Sequence, residues 1–265
     1  MKIVVCFKIV PDFERVLSKD FEDFSPNADL SYAGRIINCF DETALELALR
    51  IKDARPDGDG VECTALTVGR DLPLSIAKTL FAAGFDGVEL LQSDDGGYAP
   101  LCVAERIAGR VREISPDLIF TGKQAGFADG GTTAFYIAEA LGLPAIGEAS
   151  DASFCGGVLS VELSNELFAA KAAIEPPCVI SVGNSPIAGL RISSLKRRLE
   201  VSGRDIRILR GAEYSNISRF SEIKFQREKK ERQCKLYDDV SQFASLLKKL
   251  YDGEKSRDNY MTERP

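Results

Sequence analysis

Residues 116–142, PDLIFTGKQAGFADGGTTAFYIAEALG, decide the fold class, because a short apolar run, a glycine-rich loop and an amphipathic segment follow one another directly. The spacing predicts a strand over 116–122 and a helix over 132–142. The glycines at 126, 130 and 131 permit positive φ and let a ligand approach the backbone closely. A strand, a glycine-rich loop and a helix in this order are typical of a parallel sheet covered by helices.

The same alternation extends through the first 145 residues. It predicts strands at 2–10, 61–69 and 87–92, and helices at 41–54, 72–84 and 99–114, the second of them ended by Gly84. Two or three further strands are predicted between 150 and 183, around a Gly-Gly turn. Together these elements predict a doubly wound, mostly parallel, Rossmann-like α/β domain of the adenine-nucleotide-binding type.

The composition changes after Gly189. From Leu190 to Lys235 there are 14 Lys and Arg against 6 Asp and Glu, a local net charge of +8 in a chain whose net charge is −6. Pieces such as DIRILR and EIKFQR have little apolar content and predict an arm, and a helix is predicted over 238–253. We therefore expect an α/β domain over residues 1–189 and a basic C-terminal arm with a helix over 190–265.

Composition excludes several classes of function. The 265 residues contain no histidine, so Ser-His and Cys-His catalytic arrangements are excluded. None of the seven cysteines forms a CxxC pair, and we expect no metal site. No run of 18 apolar residues predicts a membrane span, and the first residues lead directly into a strand, so a bacterial cytoplasmic protein is expected. The aromatic residues of the basic stretch are sparse, which disfavours nucleic-acid binding.

The carboxyl ends of parallel strands meet at one edge of the sheet, where ligands bind. Cys6-Phe7-Lys8 and Thr67-Val68-Gly69 lie at two such ends, and Asn38-Cys39-Phe40-Asp41 comes just before the first helix, so these segments predict a cleft for a nucleotide. Asp41 is also predicted to cap the first helix. In the glycine-rich loop, Asp129 or Thr132 is predicted to cap the next helix, with the amides of residues 130–133 directed at a phosphate. The chain has neither a GxxxxGK[ST] loop nor a GxGxxG fingerprint after its first strand.

Six blocks carry a family resemblance: MKIVVCFKIVPD, INCFDETALELALRIKDA, CTALTVG, AKTLFAAGFDGVELL, PDLIFTGKQA and IAEALGLP. In this order they resemble the β subunit of electron-transfer flavoproteins, and the chain is similar to a divergent member of the FixA type. The resemblance implies an electron carrier rather than an enzyme. It implies a heterodimer with a larger α subunit, which holds FAD and which the C-terminal arm of the β subunit wraps. It also implies electron transfer between a flavin dehydrogenase and a downstream acceptor.

The resemblance further implies that this chain binds AMP or a second FAD. The implied cofactor-binding residues are Cys6, Asn38, Cys39, Phe40, Asp41, Val68, Gly122, Lys123, Gln124, Ala125, Gly126, Phe127, Ala128, Asp129, Gly130, Gly131, Thr132 and Thr133. Where the family commonly reads KQAIDGDTAQVG, this chain reads KQAGFADGGTT, which leaves AMP and FAD both open. A shortened form of the family's partner-recognition loop is expected at Leu195, Lys196, Arg197 and Arg198.

Two other functions are compatible with the residues. One is a stand-alone adenine-nucleotide-binding module with a fold similar to universal stress proteins, which would need no wrapping arm. The other is a hydrolase or ligase that acts on a nucleotide through Lys123 and Asp129, but the preferred interpretation of Lys123 is a solvated loop lysine or a residue that supports the loop against the arm.

Overall fold

The computed structural model describes residues 1–17, 30–55, 60–93, 100–125, 130–210 and 239–248. The strands in these ranges are β1 (Lys2–Cys6), β2 (Ile9–Pro11), β3 (Arg35–Ile37), β4 (Glu62–Gly69), β5 (Gly87–Gln92), β6 (Leu118–Gly122), β7 (Ala145–Cys155), β8 (Val158–Ser164), β9 (Ala169–Ile174), β10 (Cys178–Val182) and β11 (Arg207–Arg210). The helices are α1 (Cys39–Asp53), α2 (Leu74–Ala83), α3 (Pro100–Ile114), α4 (Thr133–Leu141) and α5 (Leu195–Glu200).

Nine strands form one sheet in the order β11-β5-β4-β1-β6-β10-β7-β8-β9. The pairs from β11 to β7 are parallel, and β8 and β9 extend the sheet as antiparallel strands. The doubly wound, mostly parallel fold is confirmed. The chain builds outward from β1 through β4 to β5 and then crosses to β6 on the other side of β1. The strand order therefore reverses between β1 and β6, where ligands bind in folds of this type.

Side-chain alternation along β1 assigns the two faces of the sheet. Ile3 and Val5 belong to a buried core that includes apolar residues of α1 and α2. Val4 and Cys6 belong to a second core with residues of α3 and α4. Apolar residues on both faces are what a parallel sheet between two helical layers requires. Among the described residues, no helix has the length and apolarity needed to cross a bilayer.

The predicted strand 2–10 is interrupted after Cys6. The Lys8 amide donates to Asp41 Oδ2 at 2.8 Å, and the Lys8 carbonyl accepts from the Asn38 amide at 2.9 Å. Because these bonds replace those of the main sheet, the chain leaves it there, and Ile9–Pro11 pairs instead with β3 in a separate antiparallel ribbon. The apolar run could not reveal this break, since both partners of Lys8 lie about 30 residues further along the chain.

The region between α4 and residue 183 holds four strands rather than the two or three predicted. The chain runs out along β7, turns at Gly156 and Gly157, which both have positive φ, and returns along β8 before β9. It then re-enters the centre of the sheet as β10, between β6 and β7. The predicted Gly-Gly turn is confirmed.

Residues after Gly189 continue to contact the sheet. The segment DIRILR, which predicted an arm, supplies β11, which pairs in parallel with β5 from Arg207–Glu89 to Arg210–Gln92. The exposed backbone of an edge strand offers hydrogen bonds whatever the side chains are, so low apolar content did not prevent pairing. The contacts divide the chain into units 1–224 and 225–265. EIKFQR lies outside the described residues, residues 240–248 are helical, and the division at 189/190 stays a prediction.

Arg191 fastens the segment before α5 to helix α1. Its guanidinium contacts both carboxylate oxygens of Glu46, with Nε at 3.0 and 3.2 Å and Nη2 at 3.0 Å, and it also pairs with Asp53. Its backbone amide donates to Glu46 Oε2 at 3.0 Å. The side chain of Glu46 is nearly buried. Bidentate pairing of this kind is the stronger form of arginine–carboxylate contact.

We expect Arg191→Ala to lower the free energy of unfolding by about 2 kcal/mol, because it leaves the Glu46 carboxylate buried without its bidentate partner. Urea unfolding of the full-length chain measures this. The matched control is Arg197→Ala, which removes an exposed pair with Glu200 on α5 and should cost less than about 0.5 kcal/mol. Equal effects from the two variants would contradict the anchoring role of Arg191.

Candidate functional site

A cavity of about 130 Å³ opens at the point where the strand order reverses. Its walls come from the carboxyl ends of β1, β4 and β6, the first turns of α1, α3 and α4, and the chain that follows β6. Val68, Val103 and Ile107 give an apolar side, while Lys8 and the glycines before α4 give a polar side. A mostly apolar pocket with a few convergent polar groups is typical of a small-molecule site.

The Asp41 carboxylate joins three elements beside this cavity. Oδ1 accepts the Gly122 amide at 2.7 Å, and Oδ2 accepts the Lys8 amide at 2.8 Å. Helix α1 begins at Cys39, so Asp41 lies inside its first turn and the N-cap is Asn38. The predicted capping role of Asp41 is therefore wrong. The carboxylate instead ties the start of α1 to the ends of β1 and β6.

Asn38 also connects the two sides of the cavity. Its backbone carbonyl accepts from the Asp41 and Glu42 amides at the start of α1. Its Nδ2 donates to the Gln124 carbonyl at 2.8 Å, which holds the chain after β6 against the helix. The side chain makes no capping bond; its amide holds the loop and also contacts the Asp41 carboxyl.

Gly122 allows α1 to approach β6 this closely. A Cβ at position 122 would overlap Asp41 Oδ1 and lie 2.8 Å from Phe40 Cβ and 2.9 Å from the Asp41 amide nitrogen. Real Cβ atoms do not come so near to backbone atoms. The residue is thus required by packing, not by its φ angle.

Burial raises the pKa of Asp41 from 3.8 to about 6, although the amides of Lys8 and Gly122 partly oppose the shift. The folded state therefore binds this proton more tightly than the unfolded state. The resulting stability is complete below about pH 4 and is lost as the pH rises to about 6, a fall of about 3 kcal/mol at most.

We expect the free energy of unfolding of the wild type to fall relative to that of Asp41→Asn as the pH rises from about 4 to 6, and then to run parallel to it. Urea titrations across this range measure the difference, and the variant shares every other titrating group. A difference between the two proteins that stays constant over the range would contradict the raised pKa.

Helix α4 begins over the same cavity. Its N-cap is Thr132, whose carbonyl accepts from the Phe135 and Tyr136 amides, and whose side chain makes no capping bond. Gly131 has φ of 58° and its Cβ position lies 3.6 Å from the Lys123 carbonyl, so the loop returns against the end of β6. Gly130, Gly131 and Thr133 line the cavity. The positive end of the helix dipole therefore faces a space that an anion can occupy.

Lys123 is held by neighbours in the described chain. Its ammonium lies 3.1 and 3.3 Å from the carboxylate oxygens of Glu148 on β7 and 5.6 Å from the centre of the Phe40 ring. Its partners within the described ranges are on β7 and α1, and the predicted support of the loop against the arm stays a prediction. A lysine paired in this way is poorly placed to act as a nucleophile or acid.

A family model for the electron transfer flavoprotein domain matches residues 30–193. The chain belongs to this family. The relatives include a putative electron transfer flavoprotein subunit, YgcR, of Escherichia coli, 26% identical over 78% of this chain and 80% of the relative. The β subunit of the Megasphaera elsdenii electron transfer flavoprotein is 32% identical over 63% of this chain and 62% of the relative. FixA of Azorhizobium caulinodans is 29% identical over 69% of this chain and 66% of the relative. These identities confirm a divergent β-subunit-type member.

Most of the residues implied by the family resemblance meet in the structure. Those that line the cavity are Cys6, Asn38, Asp41, Val68, Gly122, Lys123, Gln124, Ala125, Gly130, Gly131 and Thr133. Cys39, Phe40 and Thr132 flank it without lining it. Gly126, Phe127, Ala128 and Asp129 lie outside the described residues. Leu195, Lys196, Arg197 and Arg198 form the exposed start of α5 and do not line the cavity. Ligand binding by any of them stays a prediction.

Sequence reasoning left several lining residues out of the candidate set. They are Phe7, Lys8, Pro100, Val103, Ile107 and Thr121. Val103 and Ile107 have the i, i+4 spacing of a buried helix face. This spacing is typical of any residue in a hydrophobic core, so it does not indicate a ligand site. Thr121 follows an apolar run and gave only a strand signal. Phe7 and Lys8 were expected beside Cys6 at the ligand edge of the sheet, where they do lie, but only Cys6 was taken into the candidate set.

Proposed function

We propose that this chain is the β subunit of a heterodimeric electron transfer flavoprotein and that its cavity binds the adenylate of AMP or of a second FAD. The observation that carries the proposal is the cavity itself, which lies at the reversal of strand order and is lined by residues from four of the six blocks that resemble the family. The relatives, named as electron transfer subunits, support the electron-transfer role.

The two sides of the cavity suit the two parts of an adenylate. Val68, Val103 and Ile107 offer an apolar surface for the base. The start of α4 offers amides and a positive dipole to the phosphate. The cavity is smaller than the roughly 300 Å³ of typical ligand pockets, so we expect it to hold the adenylate, with the remainder of any FAD outside it.

The chain itself needs no acid, base or nucleophile for this role. When flavin is bound to the heterodimer, the cofactor accepts and donates the electrons, and the protein positions it. This role does not require a histidine, and the chain contains none. The ion pair of Lys123 with Glu148 favours this role over a nucleotide hydrolase or ligase that acts through Lys123.

A second surface suits a protein partner. On and before α5, Ile192, Leu195 and Leu199 are 92%, 73% and 66% exposed. The basic residues Lys196, Arg197 and Arg198 lie among them. Exposed apolar side chains within a positive patch suit an apolar pocket with an acidic rim. We propose that this surface docks a flavin dehydrogenase, held in position by Arg191, while the basic C-terminal arm wraps the α subunit.

The test is to coexpress the chain with the α subunit encoded beside it, purify the complex, denature it, and quantify FAD and AMP. About one FAD and one AMP per heterodimer would support a simple electron carrier with a structural adenylate. About two FAD would place the second flavin in this chain. A colourless chain that forms no heterodimer but binds AMP would instead indicate a stand-alone nucleotide-binding module.

A further inference from the structure

Thr121 lies at the floor of the cavity, one residue before the end of β6. It is only 5% exposed, and its Oγ1 has no hydrogen-bond partner within the part of the chain that the structure describes. A buried hydroxyl without a partner is unfavourable. Valine has the same shape and would fill this position without an unpaired group.

The side chain of Thr121 lies on the face of the sheet that α3 and α4 cover. In β6, Phe120 belongs to the core under α1 and α2, whereas Ile119 belongs to the core under α3 and α4. Alternation along a strand places Thr121 on the same face as Ile119. The apolar cavity residues Val103 and Ile107 lie on that face too, and as aliphatic side chains they offer the hydroxyl no partner.

Since no residue in the described ranges satisfies the hydroxyl, a ligand group in the cavity is the partner that we consider. The start of α4 lines the same space, and Gly131 lies against the carbonyl of Lys123, two residues after Thr121. Amides at a helix start and a hydroxyl donor together favour an anionic oxygen. We propose that Thr121 Oγ1 donates a hydrogen bond to the phosphate of the bound nucleotide. This inference rests on the proposed function and assigns a binding role to a residue outside the candidate set.

The experiment compares wild type, Thr121→Val and Thr121→Ser in the full-length chain, alone and with its coexpressed α subunit, after nucleotide removal. Calorimetric titration with AMP and with adenosine separates the contribution of the phosphate to the affinity from that of the nucleoside. Loss of a hydrogen bond to a charged group should weaken AMP binding about 10- to 100-fold in Thr121→Val. Adenosine binding should be unchanged, and Thr121→Ser should retain most of the affinity for AMP. Thr64→Val is the matched control, since Thr64 is a buried threonine of β4 outside the cavity lining.

Three results would overturn the assignment. Equal AMP affinity of Thr121→Val and wild type would remove Thr121 from the site and leave the proposed function standing. If Thr121→Val weakened the binding of AMP and of adenosine equally, Thr121 would contact the nucleoside rather than the phosphate. No AMP binding by wild type would end this proposal and the proposal that the cavity holds AMP, whereas the proposed β-subunit role is tested separately by the FAD content of the heterodimer.

Unfolding of the nucleotide-free proteins supplies an independent readout. Because no residue in the described part of the chain pairs with the hydroxyl, Thr121→Val should be at least as stable as wild type. A marked loss of stability in this variant would show that the hydroxyl already has a protein partner, and that would also overturn the proposal.

Discussion

Gly122→Ala is expected to lower the free energy of unfolding by about 3 kcal/mol or more and to abolish nucleotide binding. The added methyl group would overlap the Asp41 carboxylate and press on the backbone of α1. Neither neighbour can turn away as a flexible side chain would, because Asp41 Oδ1 is bonded to the amide of residue 122 itself. Helix α1 must therefore move from β6, which opens the wall of the cavity.

Urea unfolding and AMP titration of the full-length chain measure the two losses. The matched control is Gly69→Ala, at the end of β4 on the same edge of the sheet. A Cβ there would meet only the Asp71 carbonyl, at 3.9 Å, so the stability of this variant should be close to that of wild type. A Gly122→Ala protein as stable as Gly69→Ala would show that α1 and β6 are not in close contact.

Asp41→Ala is expected to lower the free energy of unfolding by about 2–4 kcal/mol near neutral pH. The substitution leaves the amides of Lys8 and Gly122 without the carboxylate that accepts them. It also frees the starts of α1 and β2 from the end of β6. Nucleotide affinity should fall with stability, because both amides belong to the cavity wall.

The loss should depend on pH. Since the buried carboxylate is less favourable when ionised, the stability difference between wild type and Asp41→Ala should be larger at about pH 5 than at about pH 8. Asp71→Ala removes an exposed carboxylate that pairs with Arg35 and should cost less than about 0.5 kcal/mol at either pH. An Asp41→Ala protein that behaves like Asp71→Ala would refute the joining role of this carboxylate.

The candidate site was partly predictable from the sequence. The strand ends at Cys6 and Val68 and the glycine-rich loop after Gly122 were found from periodicity and from the rule that ligands bind at the carboxyl ends of parallel strands. Asn38 and Asp41 were expected at the same edge because they lie at the start of the first helix, and the family resemblance also implied them. The role of Asp41 was wrong, because an aspartate near a predicted helix start indicates a cap, whereas its actual partners are 33 and 81 residues away.

Other features had no signal in the sequence. In the sequence, Thr121 looks like an ordinary strand residue. Whether its hydroxyl has a partner depends on neighbours that only the tertiary structure brings close. The sequence does not indicate that Glu148 pairs with Lys123. Lys123 follows β6 and Glu148 lies on β7, and β10 lies between these two strands in the sheet. The strand β11 was missed because an edge strand binds through its backbone, which composition does not report.

By itself, the sequence determined the α/β class, the alternation of strands and helices, and the location of the glycine-rich loop. These follow from local periodicity, since each element must bury an apolar stripe or face. Only the tertiary structure decided where the strand order reverses and that Gly122 meets Asp41. It also decided that DIRILR contributes a strand to the sheet and that the hydroxyl of Thr121 has no partner among the described residues. Those features depend on contacts between residues far apart in the chain, and no local pattern encodes such contacts.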